Sequence, residues 1–184
     1  MRALPIAVTV LAAALALTSC DGGSGDSSSP GKSGDTAGTT KKAATAACAI
    51  GDTGIQVGPA NAATAAGDTG NIPVTLTNKG AACTLKGFPS LSAQAGGTSA
   101  DIVADKSAQP AELTLAKGDT ASFTITYVRG AEGDAKTLAA KTLKIALPGA
   151  DTTQDFPWSY GPLAGKGSAT EPNASVTAFQ HAGD

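Results

Sequence analysis

The chain has few residues with which to do chemistry. It carries one histidine, His181, in 184 residues, and only 4% of it is aromatic. A histidine-dependent triad needs its imidazole held rigidly, and His181 falls in a segment, 181–184, that reads as a loose tail. No serine lies in a Gly-x-Ser-x-Gly elbow. No Gly-x-x-x-x-Gly-Lys loop is present to cradle phosphates. Charged residues make up 15% of the chain, with a formal net charge of −2, which excludes a basic nucleic-acid surface. There are three cysteines. Two of them without a histidine partner do not make a tetrahedral zinc site. No metal site and no cofactor is implied, and the chain reads as a protein that is not an enzyme.

The apolar stretches are short as well. The longest runs from Ala3 to Leu17 after Met1 and Arg2. A positive start followed by about 7–15 apolar residues is a secretory signal. The run falls short of the roughly 20 residues that span a bilayer. It ends in Leu17-Thr18-Ser19-Cys20, which resembles the bacterial lipobox. That resemblance implies cleavage before Cys20 and a diacylglyceryl group on its thiol, with the new amine open to a second acylation. Two acyl chains anchor stably where one does so marginally. The reading is therefore a signal peptide over 1–19 and a lipidated Cys20. Palmitate-type lipid, a cell-membrane address and an extracytoplasmic face follow from it. Loss of Arg2 makes the remaining chain one charge more negative.

From Asp21 to Ala47 the sequence has no Leu, Ile, Val or aromatic residue. Such a segment cannot bury enough apolar surface to offset its ordering entropy, so 20–47 reads as a lipidated cysteine followed by a disordered linker. Its reach is roughly 30 Å.

Residues 48–180 suit one domain by length. Their pattern has period two. Ile72, Val74 and Leu76 share one face; so do Ala121, Phe123, Ile125 and Tyr127; so do Leu143, Ile145 and Leu147. Shorter strand candidates are Ile55–Val57, Thr84–Phe88, Leu91–Ala93, Ile102–Ala104, Glu112–Leu115 and Ser175–Phe179. Turn residues at Asn78-Lys79-Gly80, Lys117-Gly118-Asp119, Gly130–Gly133 and Pro148-Gly149 separate them. Only Ala135–Lys141 could be helical, and it is too short to stand alone. The expected class is all-β, seven to nine strands in an antiparallel two-sheet sandwich of immunoglobulin-like architecture, with a barrel as the alternative. The Cys…Trp…Cys order of antibody domains is missing, because Trp158 follows both cysteines. With Cys20 assigned to lipid, Cys48 and Cys83 form an even pair in an oxidising compartment, and a disulfide is expected.

The stretch Thr77-Asn78-Lys79-Gly80-Ala81-Ala82-Cys83-Thr84-Leu85-Lys86-Gly87-Phe88-Pro89 resembles domain-of-unknown-function family 4232, found in secreted and lipid-anchored actinobacterial proteins. Members have an early Cys, here Cys48, a strand ending in Thr-Asn, and Cys-x-Leu-x-Gly-aromatic-Pro. A later block, Leu-x-x-Gly-x-x-Ala, matches Leu115, Gly118 and Ala121, with Phe123 in the strand beyond. Lys117 stands where many members have proline. The resemblance implies the fold and the disulfide. It carries no activity and no catalytic residues.

Two Asp-Thr-Gly triplets, at 52–54 and 68–70, share their letters with aspartic proteases, where two carboxylates hold one proton. Each follows a glycine here, and both read as turns entering strands. Glu132 with Asp134, and Asp151 with Asp155, lack the spacing of a calcium loop. The segment Phe156-Pro157-Trp158-Ser159-Tyr160 holds three of the seven aromatics. If extended, it puts all three rings on one face. Trp158 and Tyr160 are thus candidates for a contact surface. The competing reading is core, because few other large residues are available to fill it. With Pro157 confining the segment to an edge or loop, Phe156 and Trp158 are expected to be largely buried and Tyr160 partly exposed. The functional expectation is a non-catalytic binding module at the cell envelope with a wall or protein partner. The alternatives are a structural accessory domain without a ligand and a hydrolytic enzyme.

Overall fold

The structure is a computed structural model and describes residues 45–107 and 109–183. The apolar start, Cys20 and the polar segment through residue 44 lie outside these residues. A 3-10 turn, Ile50–Asp52, leads into β1 (Thr53–Val57). The further strands are β2 (Thr69–Asn78), β3 (Cys83–Lys86), β4 (Ser90–Ala95), β5 (Thr98–Ala104), β6 (Glu112–Leu115) and β7 (Thr120–Val128). Then come β8 (Thr137–Leu138), β9 (Thr142–Ala146), β10 (Thr153–Pro157), β11 (Leu163–Ala164), β12 (Ala174–Val176) and β13 (Gln180–His181).

The all-β class holds, and the pairing adds detail to it. Nine strands form one continuous sheet in the order β1-β2-β7-β12-β5-β4-β9-β10, with β13 beside β7. They do not divide into two separate antiparallel sheets, and β12 runs parallel to β5. Two short ribbons, β3–β6 and β8–β11, lie off this path. Alternate residues of the long strands are buried: Ile72, Val74 and Leu76; Ala121, Phe123, Ile125 and Tyr127; Leu91 and Ala93; Leu143 and Ile145. All of these belong to one core cluster. A single sheet whose one face fills a single core must curl on itself, so the sheet approaches a barrel, with β1 and β10 as its edges. Leu85 and Leu113 bring the β3–β6 ribbon into the same core. Phe179 closes against Phe123 edge to face at 5.3 Å.

Three details of the chain depart from expectation. Ala135–Lys141 is a turn followed by β8, not a helix: Asp134 Oδ1 accepts from the Lys136 N–H at 2.8 Å and holds the turn. The tail is not loose from residue 181 onward, because His181 pairs with Ala121. Pro73 sits in β2 between β1 and β7, where an interior proline normally breaks a ladder. Its carbonyl accepts from the Gly58 N–H at 2.8 Å, so its nitrogen faces the point where β1 ends. The missing donor falls where little ladder remains to be interrupted.

Candidate functional site

Two places concentrate polar and aromatic groups. The first is the end of β2. Asn78 is buried, with 1% exposure. Its Nδ2 donates to the carbonyls of Ala81 at 2.8 Å, Leu115 at 3.0 Å and Ala116 at 3.2 Å. Its Oδ1 accepts from the Gly80 N–H at 3.0 Å. One amide therefore ties β2 to the loop before β3 and to the end of β6. Beside it, the Asp119 N–H donates to Ala116 O at 3.1 Å, and Gly118 lies at φ +93°. That is the pattern of a type II turn, with Lys117 at the position that favours proline.

Cys48 and Cys83 are joined, with Cα atoms 4.8 Å apart across 35 residues. The Cys48 N–H donates to Thr84 O, and the Thr84 N–H to Ala46 O, so residues 46–48 run along the outer edge of β3. Leu85 is buried, Gly87 turns the chain at φ +106°, and Pro89 is buried before β4. In the later block Leu115, Ala121 and Phe123 are all core.

The family described as Domain of unknown function (DUF4232) has a model that matches residues 48–180. The chain belongs to that family. No curated protein and no solved structure matches it. Within the DUF4232 domain the matching motif residues have structural tasks: a cross-link, a buried clamp, two turns and core contacts. None of them lines a site with convergent reactive groups.

The second place is the aromatic corner. Trp158 is buried at 5% exposure. Its ring meets Tyr127 edge to face at 5.3 Å and Tyr160 at 5.2 Å. Its Nε1–H donates to Gly161 O at 2.6 Å. The Tyr127 hydroxyl donates to Tyr160 O at 3.0 Å and accepts from the Ala63 N–H at 3.1 Å. Both polar tips are thus satisfied within the fold, as burial of such groups requires. Tyr160 is half-exposed, and Phe156 is half-buried rather than largely buried. Of the two candidate contact residues, Trp158 lies in the core cluster and Tyr160 packs partly buried against it. A cavity of about 210 Å³ beside Trp158 is lined by Glu132, Lys141, Ser159 and Pro162 among others. It presents one carboxylate and one ammonium, not a carboxylate pair.

The remaining candidates separate. Thr53 pairs with Asn78 at one end of β2 and Thr69 begins the other end. At about 3.3 Å per residue the two Asp-Thr-Gly triplets stand roughly 30 Å apart along the strand, so their carboxylates share no proton. Asp68 accepts from the Ala65 N–H and the Thr64 hydroxyl, each at 2.9 Å. These bonds, the backbone one foremost, hold its carboxyl below the usual aspartate range. Asp105 is held low in the same way by the Ser107 N–H. Asp155 is engaged by Lys144 at 2.9 Å. Among the described residues no three His, Cys, Asp or Glu side chains come together as a metal site would need. His181 borders a groove of about 450 Å³ with Leu113 and Phe179, and no acidic side chain lines it. Sequence reasoning had no route to Asn78's role, because its acceptors at 115 and 116 are distant in the chain.

Proposed function

We propose that the chain is an extracytoplasmic lipoprotein, held at the cell membrane by lipid on Cys20, whose DUF4232 domain is a non-catalytic interaction module of the cell envelope. The observation that carries the reading is the placement of Leu17-Thr18-Ser19-Cys20. It comes directly after an apolar run and directly before a segment without Leu, Ile, Val or aromatics. The tasks of the family motif support the non-catalytic part, since its polar and cysteine residues hold the fold together. A cell-wall polymer or another envelope protein is the partner class, and nucleic acid is not. The two halves of the curled sheet, facing each other across the core, would act as a sandwich-like platform carried on the linker.

A second reading has its own observation. Trp158 is buried with its N–H satisfied, which takes the largest aromatic surface away from contact and favours a structural accessory domain. The test begins in cells. The wild-type protein should partition into the detergent phase and incorporate labelled fatty acid. Cys20→Ala should appear as uncleaved precursor or be released, without label. A fully mature Cys20→Ala protein that partitions as wild type would overturn the anchoring. Cross-linking on intact cells then separates a partner-binding module, which traps one defined species, from an accessory domain, which traps none.

A further inference from the structure

Among the described residues the curled sheet has two edges without a pairing strand, and they differ. On β10 the Trp158 N–H donates to Lys141 O, so by alternation it is Thr153, Asp155 and Pro157 whose main chains face outward. That edge carries a carboxylate paired with Lys144 and a residue without an N–H. Both are standard defences of an exposed strand. On β1 the Gly58 N–H donates to Pro73 O and the Lys79 N–H to Asp52 O. With the register Ile55↔Leu76 and Val57↔Val74, Gly54 and Gln56 therefore bond to β2. The N–H and C=O groups of Ile55 and Val57 point away from the sheet. β1 holds no charge and no proline, and Ile55 and Val57 are only half-buried against the core.

We propose that this edge pairs, antiparallel and about a two-fold axis, with the same edge of a second copy of the chain. Ile55 then exchanges hydrogen bonds with Val57 of the second copy, and Val57 with its Ile55. Gln56 meets Gln56 at the axis as a non-hydrogen-bonded pair, where side chains lie closest. Two primary amides there are mutually complementary, donor to acceptor. At the flanks Gly54 meets Gly58, so no side chain from either blocks the approach. The charged side chain lying across Gly54 is Lys79. In this register Gly54 and its copy are about 14 Å apart along the strands, beyond the screening length of roughly 8–10 Å. A two-fold pairing of β10 would instead bring Asp155 against Asp155, which disfavours that edge. The occupant is a second copy because the outward donors and acceptors of Ile55 and Val57 match their own copies about the two-fold, and β1 carries no charge to repel itself. Two five-residue strands make a short contact, so the dimer is weak.

The test uses the full chain in mild detergent with Cys20→Ser, so that an added cysteine is the unpaired thiol. Gln56→Cys should oxidise to a covalent dimer, because the axis places the two positions opposite each other. Ser92→Cys, on the outer face of β4, should stay monomeric. Adding Val57→Pro removes an outward N–H and leaves the β1–β2 bonds in place. It should lower the cross-linking rate about tenfold or more. Should Val57→Pro unfold the domain, Gln56→Lys supplies the second measurement. It sets like charges at the axis and should weaken self-association about tenfold in sedimentation, with an unchanged circular dichroism spectrum. Failure of Gln56→Cys to cross-link, cross-linking untouched by Val57→Pro in a folded domain, or self-association untouched by Gln56→Lys, overturns the proposal.

Discussion

Replacing Asn78 tests whether the family's Thr-Asn motif is a fold device. Its side chain satisfies the Gly80 N–H and contributes to three carbonyls, at 2.8, 3.0 and 3.2 Å. A buried group left without its partner costs about 1–3 kcal/mol. Asn78→Ala strips the buried Leu115 acceptor and the part-buried Gly80 donor of their partner, so the loss should be about 2–4 kcal/mol. Asn78→Asp keeps the shape and removes the donors. Its carboxylate would face carbonyl oxygens in a dry site, so its folded pKa would rise above the unfolded value near 3.9. The sign follows. Below about pH 4 both states are protonated and the charge penalty is absent. As pH climbs, the unfolded state ionises first, and the penalty grows by up to about 1.4 kcal/mol per pH unit until the folded group ionises too. Urea unfolding, followed by the fluorescence of the sole tryptophan, would read both effects. Asn71→Ala is the control, since Asn71 is exposed and its side-chain oxygen accepts from the Thr126 hydroxyl at 2.8 Å. An Asn78→Ala loss within about 0.5 kcal/mol of that control, or an Asn78→Asp penalty equal at pH 4 and pH 7, would show that Asn78 does not hold the fold in this way.

Trp158→Ala should cost about 3–5 kcal/mol through a cavity against Tyr127 and Tyr160. In the folded wild type the emission of Trp158 should be blue-shifted and resist iodide, and free quenching would count against its burial. Reducing Cys48–Cys83 opens a loop of 35 residues and should cost about 4 kcal/mol by chain entropy, so an unchanged urea midpoint with reductant would contradict that. Lys117→Pro should stabilise the domain by about 0.4–1 kcal/mol, because it stiffens the unfolded chain at a position where a type II turn already fixes φ. A loss of stability there would show that Lys117 is not in that conformation.

The long strands were legible because one face of each meets the core and the other meets water. Ile72-Pro73-Val74-Thr75-Leu76 and Phe123-Thr124-Ile125-Thr126-Tyr127 write that alternation directly. What alternation does not encode is the neighbour. It says that Val176 faces inward but not that β12 lies parallel to β5, so alternation alone leaves both a two-sheet sandwich and a barrel open where the hydrogen bonds run through one sheet. The two-residue strands β8 and β11 carry no period at all. Leu138 and Leu163 take strand geometry because each meets the other, and a pairing of that kind is invisible to any local window. The helical look of Ala135–Lys141 came from composition, which a single Asp134 cap and the β8–β11 pairing outweigh.

The candidate site was less legible for a different reason. Cys83, Leu85, Gly87 and Gly118 stand out in the sequence as motif residues, but a motif letter does not say whether it serves a fold or a reaction. Only geometry separates the two. An active residue leaves a polar atom directed at space a substrate could enter, whereas Asn78, Tyr127 and Trp158 direct theirs at carbonyls of their own chain. Function in this domain must therefore use what the fold leaves unsatisfied. By that criterion the outward main-chain groups of Ile55 and Val57 and the half-exposed Tyr160 matter more than any of the motif residues. A substitution at Gln56 should then separate interaction from stability, while one at Asn78 or Trp158 should lower both together.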